Sequence, residues 1–384
     1  MLSREYPPHV YGGAGVVVAH LSQALSRLAA VEVRCFGAVQ QSAPALQVRG
    51  YAPWAELDGG PEARHAAALQ ALSVDLAMAR DPVTAEVVHA HTWYVALAGL
   101  LVQALADIPL VVTLHGLEPL RPSKQEQLGA GYAVSSWVER AAVEAADRVI
   151  AVSAQMRADI LANFRVDPRR VSIVHNGVDA EAFRRTDRRE ALDRHGVRVP
   201  YVLFVGRISE QKGIFTLLDA AEAFGPDVQL VLCASSPDTP EIEARLSAAV
   251  AGRPRIRWIN AVLPRDEVVE LYSHASAFVC PSVYEPFGLI NLEAMACETP
   301  VIATRVGGTP EVVVDDETGW LVPPSDAAAL TAAVRRLLAD SDRAARFGRA
   351  GRLRVETQFS WGRIAERTLG VYREAIAAHR ARAL

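Results

Sequence analysis

Two carboxylates stand eight positions apart in Glu285-Pro286-Phe287-Gly288-Leu289-Ile290-Asn291-Leu292-Glu293, and an arginine and a lysine stand five apart in Gly206-Arg207-Ile208-Ser209-Glu210-Gln211-Lys212-Gly213. Arginine offers a planar fork of donors and lysine a compact ammonium, and together they suit a diphosphate. In the first stretch Glu285 falls in a loop and Glu293 about two turns into the helix that the loop opens. Each carboxylate could accept from a pair of sugar hydroxyls. The N–H groups of Phe287, Gly288 and Leu289, at the helix start, lack intrahelical acceptors and can donate to hydroxyls or phosphate. Lysine occurs only at Lys124 and Lys212, the other 38 basic residues being arginine, so lysine marks positions where a compact ammonium matters.

Two further loops hold polar groups. Tyr11-Gly12-Gly13-Ala14-Gly15 opens an apolar helix, where glycines admit a ligand close to the backbone and the helix start favours an anion. This is not a dinucleotide fingerprint, because Glu32 is poorly placed for the acidic partner that fingerprint needs, which argues against a dehydrogenase. His115-Gly116 follows an apolar run and is placed either to meet a substrate or to cap its strand. His89 and His91 form half of a metal-binding pattern with no third ligand nearby in sequence, so a structural role is expected for the pair, with His91 also a candidate for the acceptor side.

These loops need strands and helices to position them. Apolar runs at Val31–Phe36, Val87–Ala90, Leu110–Thr113, Val149–Val152 and Val171–Val174 alternate with helical patterns, and the same alternation returns at Val202–Val205, Gln229–Cys233, Ile256–Trp258, Phe278–Cys280 and Val301–Ala303. Strands rich in Val and Ile, separated by helices such as Ala14–Ala30, Ser136–Ala146, Ala154–Asn163 and Ala327–Ala339, predict doubly wound parallel sheets of the α/β class. In such sheets ligands bind beyond the carboxyl ends of the strands, where all four loops fall. The polar stretch Arg184–Pro200 is the expected boundary, giving a domain of residues 1–195 and a second of 196–360. The last segment, Trp361–Leu384, reads as one helix.

Length and composition agree. With 384 residues the chain has room for about two to three domains. The composition, 51% hydrophobic and 22% charged, is globular rather than disordered. A net charge of −4 gives no reason to expect nucleic acid or an anionic membrane as partner. No basic-apolar leader begins at Met1, and no apolar run of about 18 residues reads as a membrane span. Cys35, Cys233, Cys280 and Cys297 form no CxxC pair, which points to free thiols and a cytoplasmic setting. No carboxylate cluster demands a metal.

Taken together, the loops resemble those of the retaining glycosyltransferases of family 4. The strongest likeness is the Glu285-x7-Glu293 pattern running on through Leu292-Glu293-Ala294-Met295-Ala296; Val205-Gly206-Arg207 with Lys212-Gly213, and Val174-His175-Asn176-Gly177-Val178-Asp179, are others. Matching segments run over nearly the whole chain. The resemblance implies the GT-B fold, two Rossmann-like domains facing a cleft, with Trp361–Leu384 packing back on the first. Within the family, Arg4-Glu5-Tyr6-Pro7-Pro8 to Gly15, His89-Ala90-His91-Thr92-Trp93-Tyr94 and Leu117-Glu118-Pro119-Leu120-Arg121-Pro122 are similar to the actinobacterial-type glycogen synthases, also described as α-maltose-1-phosphate synthases.

That branch implies a cytoplasmic, metal-independent hexosyltransferase that needs no cofactor, ADP-glucose being a substrate. Glucose would pass to glucose 1-phosphate, giving maltose 1-phosphate, or to an α-1,4-glucan in glycogen synthesis. Oligomeric state stays open. By position, Arg207 and Lys212 would bind the diphosphate and stabilise it as it leaves. Glu285 would hold donor-sugar hydroxyls, Glu293 the ribose, and Phe287, Gly288 and Leu289 would add backbone donors. His115 would contact the donor sugar near its 6-hydroxyl, and Gly12 and Gly13 would close over the phosphates. Arg121 and Lys124 are candidates for the phosphate of a glucose 1-phosphate acceptor. The alternatives are a family-4 transferase using a UDP- or GDP-sugar with a lipid or small-molecule acceptor, or a non-catalytic nucleotide-sugar-binding protein, which intact Arg207, Lys212, Glu285 and Glu293 argue against. One departure stands out: only Met1 and Leu2 precede Ser3-Arg4-Glu5-Tyr6, where relatives carry a complete first strand. A central strand is thus expected to be cut to a stub, with Met1 an internal methionine and a chain extended by about six to eight residues the more stable and active, since an absent strand leaves its neighbours' backbone groups unpaired.

Overall fold

The computed structural model describes residues 1–10, 12–57, 65–120, 131–235 and 237–382. The chain forms two compact units, Met1–Asn176 with the segment that begins at Trp361, and Gly177–Ser360.

The first unit is an eight-stranded sheet. Its strands are β1 (Leu2–Ser3), β2 (Val31–Phe36), β3 (Gln40–Ala43), β4 (Leu46–Tyr51), β5 (Val88–His91), β6 (Leu110–Leu114), β7 (Arg148–Ala151) and β8 (Val171–Ile173), in the order β3-β4-β2-β1-β5-β6-β7-β8. All neighbours run parallel except β3 with β4. The interior strands are apolar runs because helices cover both faces, and every residue of β6 is buried. The winding reverses between β1 and β5, so the loops after those two strands diverge there and leave a crevice. The expected stub is present. Leu2–Ser3 lies between β2 and β5, with Leu2 paired to Arg34 and to Ala90. The neighbouring backbone is not left unpaired at this point, since the Arg34 amide donates to the Met1 carbonyl at 2.9 Å.

The helix Trp361–Arg382 belongs to this first unit and packs on the helix Gly13–Leu25. Trp361 stacks on His20 with centroids 5.5 Å apart. Further along, the Tyr372 hydroxyl meets Nδ1 of His89 at 2.6 Å, and Arg382 pairs with buried Asp147.

The second unit is a six-stranded, wholly parallel sheet: β9 (Tyr201–Val205), β10 (Gln229–Cys233), β11 (Ile256–Ile259), β12 (Ala277–Cys280), β13 (Val301–Thr304) and β14 (Gly319–Val322), in the order β11-β10-β9-β12-β13-β14. Counted within the unit, this is the 3-2-1-4-5-6 order of a doubly wound nucleotide-binding fold, with its reversal between β9 and β12. Val202, Phe204, Leu232, Val279 and Ile302 are buried in its core.

Three differences from the sequence expectation have plain causes. The second unit starts at Gly177 rather than at 196, because the charge run, though largely exposed, is tied to that unit by hydrogen bonds. The Ala191 amide donates to Glu270 Oε2 at 2.7 Å, His195 meets Glu267 at 2.6 Å, and Arg352 donates to the carbonyls of Ala180 and Phe183. β3 and β4 were not expected, since Gln40–Ala43 is polar and exposed like a loop, and Leu46–Tyr51 carries the alternation of a half-buried strand rather than a continuous apolar run. β14 opens on a glycine and a tryptophan rather than on a run of Val and Ile, so it does not stand out in the sequence; Gly319 is needed there because a Cβ would lie 2.2 Å from the Val301 carbonyl oxygen. No helix among the described residues is long and apolar enough to cross a membrane.

Candidate active site

In the second unit the loops after β9 and β12 leave the sheet at its switch point and are bound to each other. The Val283 amide donates to the Gln211 carbonyl at 2.9 Å, and Gln211 Nε2 donates to the Tyr284 carbonyl at 3.1 Å. Ser209 receives the Lys212 amide on its hydroxyl at 3.3 Å, which closes the short turn Glu210–Lys212. Gly213 follows at φ +67, where a Cβ would lie 2.0 Å from the Pro281 carbonyl oxygen. The two loops can approach only because a glycine stands there.

This contact brings Lys212 to Glu285. The ammonium donates to Glu285 Oε2 at 2.6 Å, and the Ser282 hydroxyl donates to the same oxygen at 3.2 Å. Burial acts to lower the Lys212 pKa, but the carboxylate beside it outweighs that and holds the ammonium above its ordinary value. Glu285 itself is 7% exposed. Both partners take Oε2, which leaves Oε1 to accept from a ligand hydroxyl. Arg207 is held by Asp238, with Nη1 2.9 Å from Oδ1.

The helix Leu289–Ala296 begins at Gly288, which sits at φ +103 with no side chain capping it. The Asn291 amide donates to the Gly288 carbonyl at 3.0 Å, while the amides of Leu289 and Ile290 have no intrahelical acceptor and face the position of an oxyanion or a hydroxyl. Phe287 is buried against Phe359 and anchors the turn. Near the other end of the helix the Tyr272 hydroxyl donates to Glu293 Oε2 at 3.1 Å. Burial pushes the Glu293 carboxyl up to about 7, against the opposing pull of Tyr272 and Arg265.

The sequence reading missed the loop after β13. Gly307 sits at φ +52 with its Cβ position 1.9 Å from the Glu285 carbonyl oxygen, and the Gly308 amide donates to that oxygen at 3.0 Å. Glu285 is thus clamped by its backbone as well as its side chain. Two successive glycines, followed by Thr309-Pro310 after an apolar strand, were the available signal. Asp238, the partner of Arg207, carried none.

The first unit has a neutral counterpart at its own switch point. His91 ends β5 and His115 follows β6, and Nδ1 of His91 lies 3.1 Å from Nε2 of His115. His89 is held by Tyr372 on one nitrogen and by Thr113 Oγ1 at 2.7 Å on the other. Burial pushes all three imidazoles down, His115 to about 4. His91 is 1% exposed and given to His115, so its ring is not open to an acceptor as expected. Gly12 caps the helix Gly13–Leu25, and its amide donates to Glu5 Oε2 at 2.8 Å. Glu5 packs there because Gly15 has no Cβ, which would lie 2.7 Å from Glu5 Cβ. Arg121 and Lys124 lie outside the described residues. Among the described residues no group of three or more His, Cys, Asp or Glu side chains is placed to hold a metal ion.

Two doubly wound parallel-sheet units, one with paired cation and carboxylate at its switch point, define a GT-B glycosyltransferase. The family models agree: residues 11–182 match Glycosyltransferase Family 4 and residues 187–354 match Glycosyl transferases group 1. The chain is 49% identical to the α-maltose-1-phosphate synthase of Mycolicibacterium smegmatis, over 98% of this chain and 99% of that protein. It is 30% identical to a glycogen synthase of Mycobacterium tuberculosis, over 97% and 93%. The solved structure of a sucrose-phosphate synthase from Thermosynechococcus elongatus superposes with a TM-score of 0.77 at 28% identity, over 98% of each chain. The chain belongs to the family-4 glycosyltransferases that include the α-maltose-1-phosphate synthases, and it is a hexosyltransferase.

Proposed function

We propose that this protein transfers glucose, with retention, from ADP-glucose to glucose 1-phosphate, releasing ADP and maltose 1-phosphate. The observation that carries the reading is the Lys212 ammonium on Glu285 Oε2 at the switch point of the second sheet, which sets a cation for a leaving phosphate beside a carboxylate for sugar hydroxyls. A relative 49% identical and named for maltose 1-phosphate synthesis supports the acceptor.

A nucleoside diphosphate is already a competent leaving group. The enzyme's task is to stabilise the charge that develops on it and to position an acceptor hydroxyl. Arg207 and Lys212 supply that charge, the N–H groups at the start of the helix Leu289–Ala296 add donors, and Gly12 and Gly13 approach the phosphates with backbone alone. Two fixed cations take the place of a metal, so the reaction runs without one. Glu285 orients the glucose through Oε1 and Glu293 accepts from the ribose. His115 meets the glucose near its 6-hydroxyl. The acceptor hydroxyl attacks from the face that the diphosphate leaves, and the departing phosphate takes its proton, so the glutamates act as binders rather than as a nucleophile and its acid partner. Arg121 and Lys124 receive the acceptor's phosphate.

Incubation with ADP-glucose and either glucose 1-phosphate or glycogen, with and without a chelator, tests this. Maltose 1-phosphate formed at the same rate in both is the expected result. Elongation of glycogen alone would move the assignment to a chain-extending synthase. Transfer only from UDP- or GDP-glucose would overturn the donor.

A further inference from the structure

His91 and His115 share one hydrogen bond, with their ring planes 15° apart and their centroids separated by 5.4 Å. A single proton lies between the two nitrogens, and either ring could own it. Burial decides the matter. His91 is 1% exposed, and its second nitrogen, Nε2, is shut from water with no partner among the described residues. If His115 owned the shared proton, neutral His91 would have to carry its own on Nε2, as a buried N–H with nothing to receive it. If His91 owns the shared proton, Nε2 is only an unused lone pair. Buried orphaned N–H groups are rarer than under-used acceptors, and an unmade donor bond carries its full desolvation cost. Both rings are neutral here, since burial and neighbouring imidazoles hold His91 well below its ordinary value and burial takes His115 to about 4.

We infer that His91 is a positioning residue: it donates from Nδ1 to Nε2 of His115 and thereby keeps the proton of His115 on Nδ1. His115 then presents an N–H, not a lone pair, at the ring nitrogen left for a ligand. His89 fixes the donor in place. Its centroid lies 4.1 Å from that of His91, and its own two nitrogens are tied to Tyr372 and Thr113, so His91 has a rigid neighbour on its far side. Tyr372 comes from the C-terminal helix, which is thereby coupled to the tautomer of a residue on the opposite side of the histidine row. The assignment of the proton rests on ring geometry and burial alone; its use, donation to a hydroxyl oxygen of the transferred glucose, rests on the proposed function.

Long-range proton–nitrogen spectra of the full chain with labelled histidine, near neutral pH, read the tautomers directly. The expected pattern has both His91 and His115 protonated on Nδ1, with their signals assigned by loss in single variants. A His115 protonated on Nε2 would overturn the inference whether or not the protein transfers glucose. The His91→Phe variant keeps an aromatic ring but removes the donor, whereas His91→Asn sets an amide N–H near the position of Nδ1. The Phe variant is expected to show a mixture of His115 tautomers and about a two- to threefold lower kcat, less than the loss from removing His115 itself, with KM for the donor little changed. The Asn variant is expected to restore the Nδ1-protonated signal and most of the rate. Equal rates and an unchanged His115 signal in the Phe variant would sink the positioning role. Should the wild-type chain prove inert toward every nucleotide sugar, the proposed function fails, and the tautomer signals still decide the proton's place.

Discussion

The two switch points of this molecule use opposite electrostatics. In the second unit Lys212 and Glu285 are both charged, nearly buried and in contact, and Arg207 is balanced by Asp238. In the first unit His89, His91 and His115 are all held neutral by burial and bonded to one another or to hydroxyls. A site that must receive a departing diphosphate needs fixed charge, and a buried charge persists only beside a partner. A site that must orient sugar hydroxyls needs donors and acceptors without net charge, and shielded imidazoles supply them. On the proposed function, the same fold used twice serves two chemistries according to what leaves the strand ends.

The comparison is broken most severely at Lys212. Its replacement in Lys212→Met is expected to lower kcat/KM by about 10²–10³ and to cost about 3 kcal/mol of stability, because Glu285 is left charged and unpaired. The double variant Lys212→Met/Glu285→Gln should recover much of the melting temperature but none of the transfer; recovery of both would show that the pair is only structural. Gly307→Ala comes next. Its Cβ would stand 1.9 Å from the Glu285 carbonyl oxygen at a φ of +52, so a loss of about 2–3 kcal/mol is expected by denaturant unfolding, together with reduced activity. A wild-type midpoint would mean the clamp on Glu285 is not rigid. In the first unit His115→Ala should cost only about tenfold in kcat/KM, the worth of a neutral hydrogen bond or little more.

Acidity acts on His115 and on Glu293 with opposite sign. The folded His115 titrates near 4, below its unfolded value, so the unfolded chain binds more protons between about 4 and 6.5 and this contribution to stability is lost as pH falls through that window. Glu293 titrates near 7, above its unfolded value, so the folded chain holds the extra proton and stability declines as pH rises from about 4.5 to 7. The pH dependence of stability, compared between wild type and the single variants His115→Ala and Glu293→Gln, should reveal the two contributions with opposite slopes, and differences of the same sign would contradict the assignment. The smallest effect is expected for Asp238→Ala. It releases the partly exposed Arg207 from one partner, and kcat/KM should move by no more than a few-fold, since such ion pairs are worth about 0–1 kcal/mol.

Much of this was readable in the residues. Leu110–Thr113 and Gln229–Cys233 announced buried parallel strands because both faces of such a strand are apolar, whereas Gln40–Ala43 did not, because an exposed edge strand has the composition of a loop. Glu285, Gly288 and Glu293 stood out because their pattern is confined to one loop and one helix. Asp238 and Gly307 did not, since each acts on a residue far away in the chain. Arg184–Pro200 misled for a related reason. A run of charge reads as a boundary until its partners, here Glu267 and Glu270, are known.

By itself, the sequence determined the alternation of strand and helix, the presence of loops able to bind phosphate and sugar, and the family to which they are similar, because periodicity and short-range spacing are local properties. Only the tertiary structure decided that Lys212 answers Glu285, that Gly307 presses on the carbonyl behind it, that Tyr372 reaches His89, and that His91 turns to His115. Each of these joins groups 22 to 283 residues apart, where burial and the crossing of the chain, rather than local pattern, determine which groups meet.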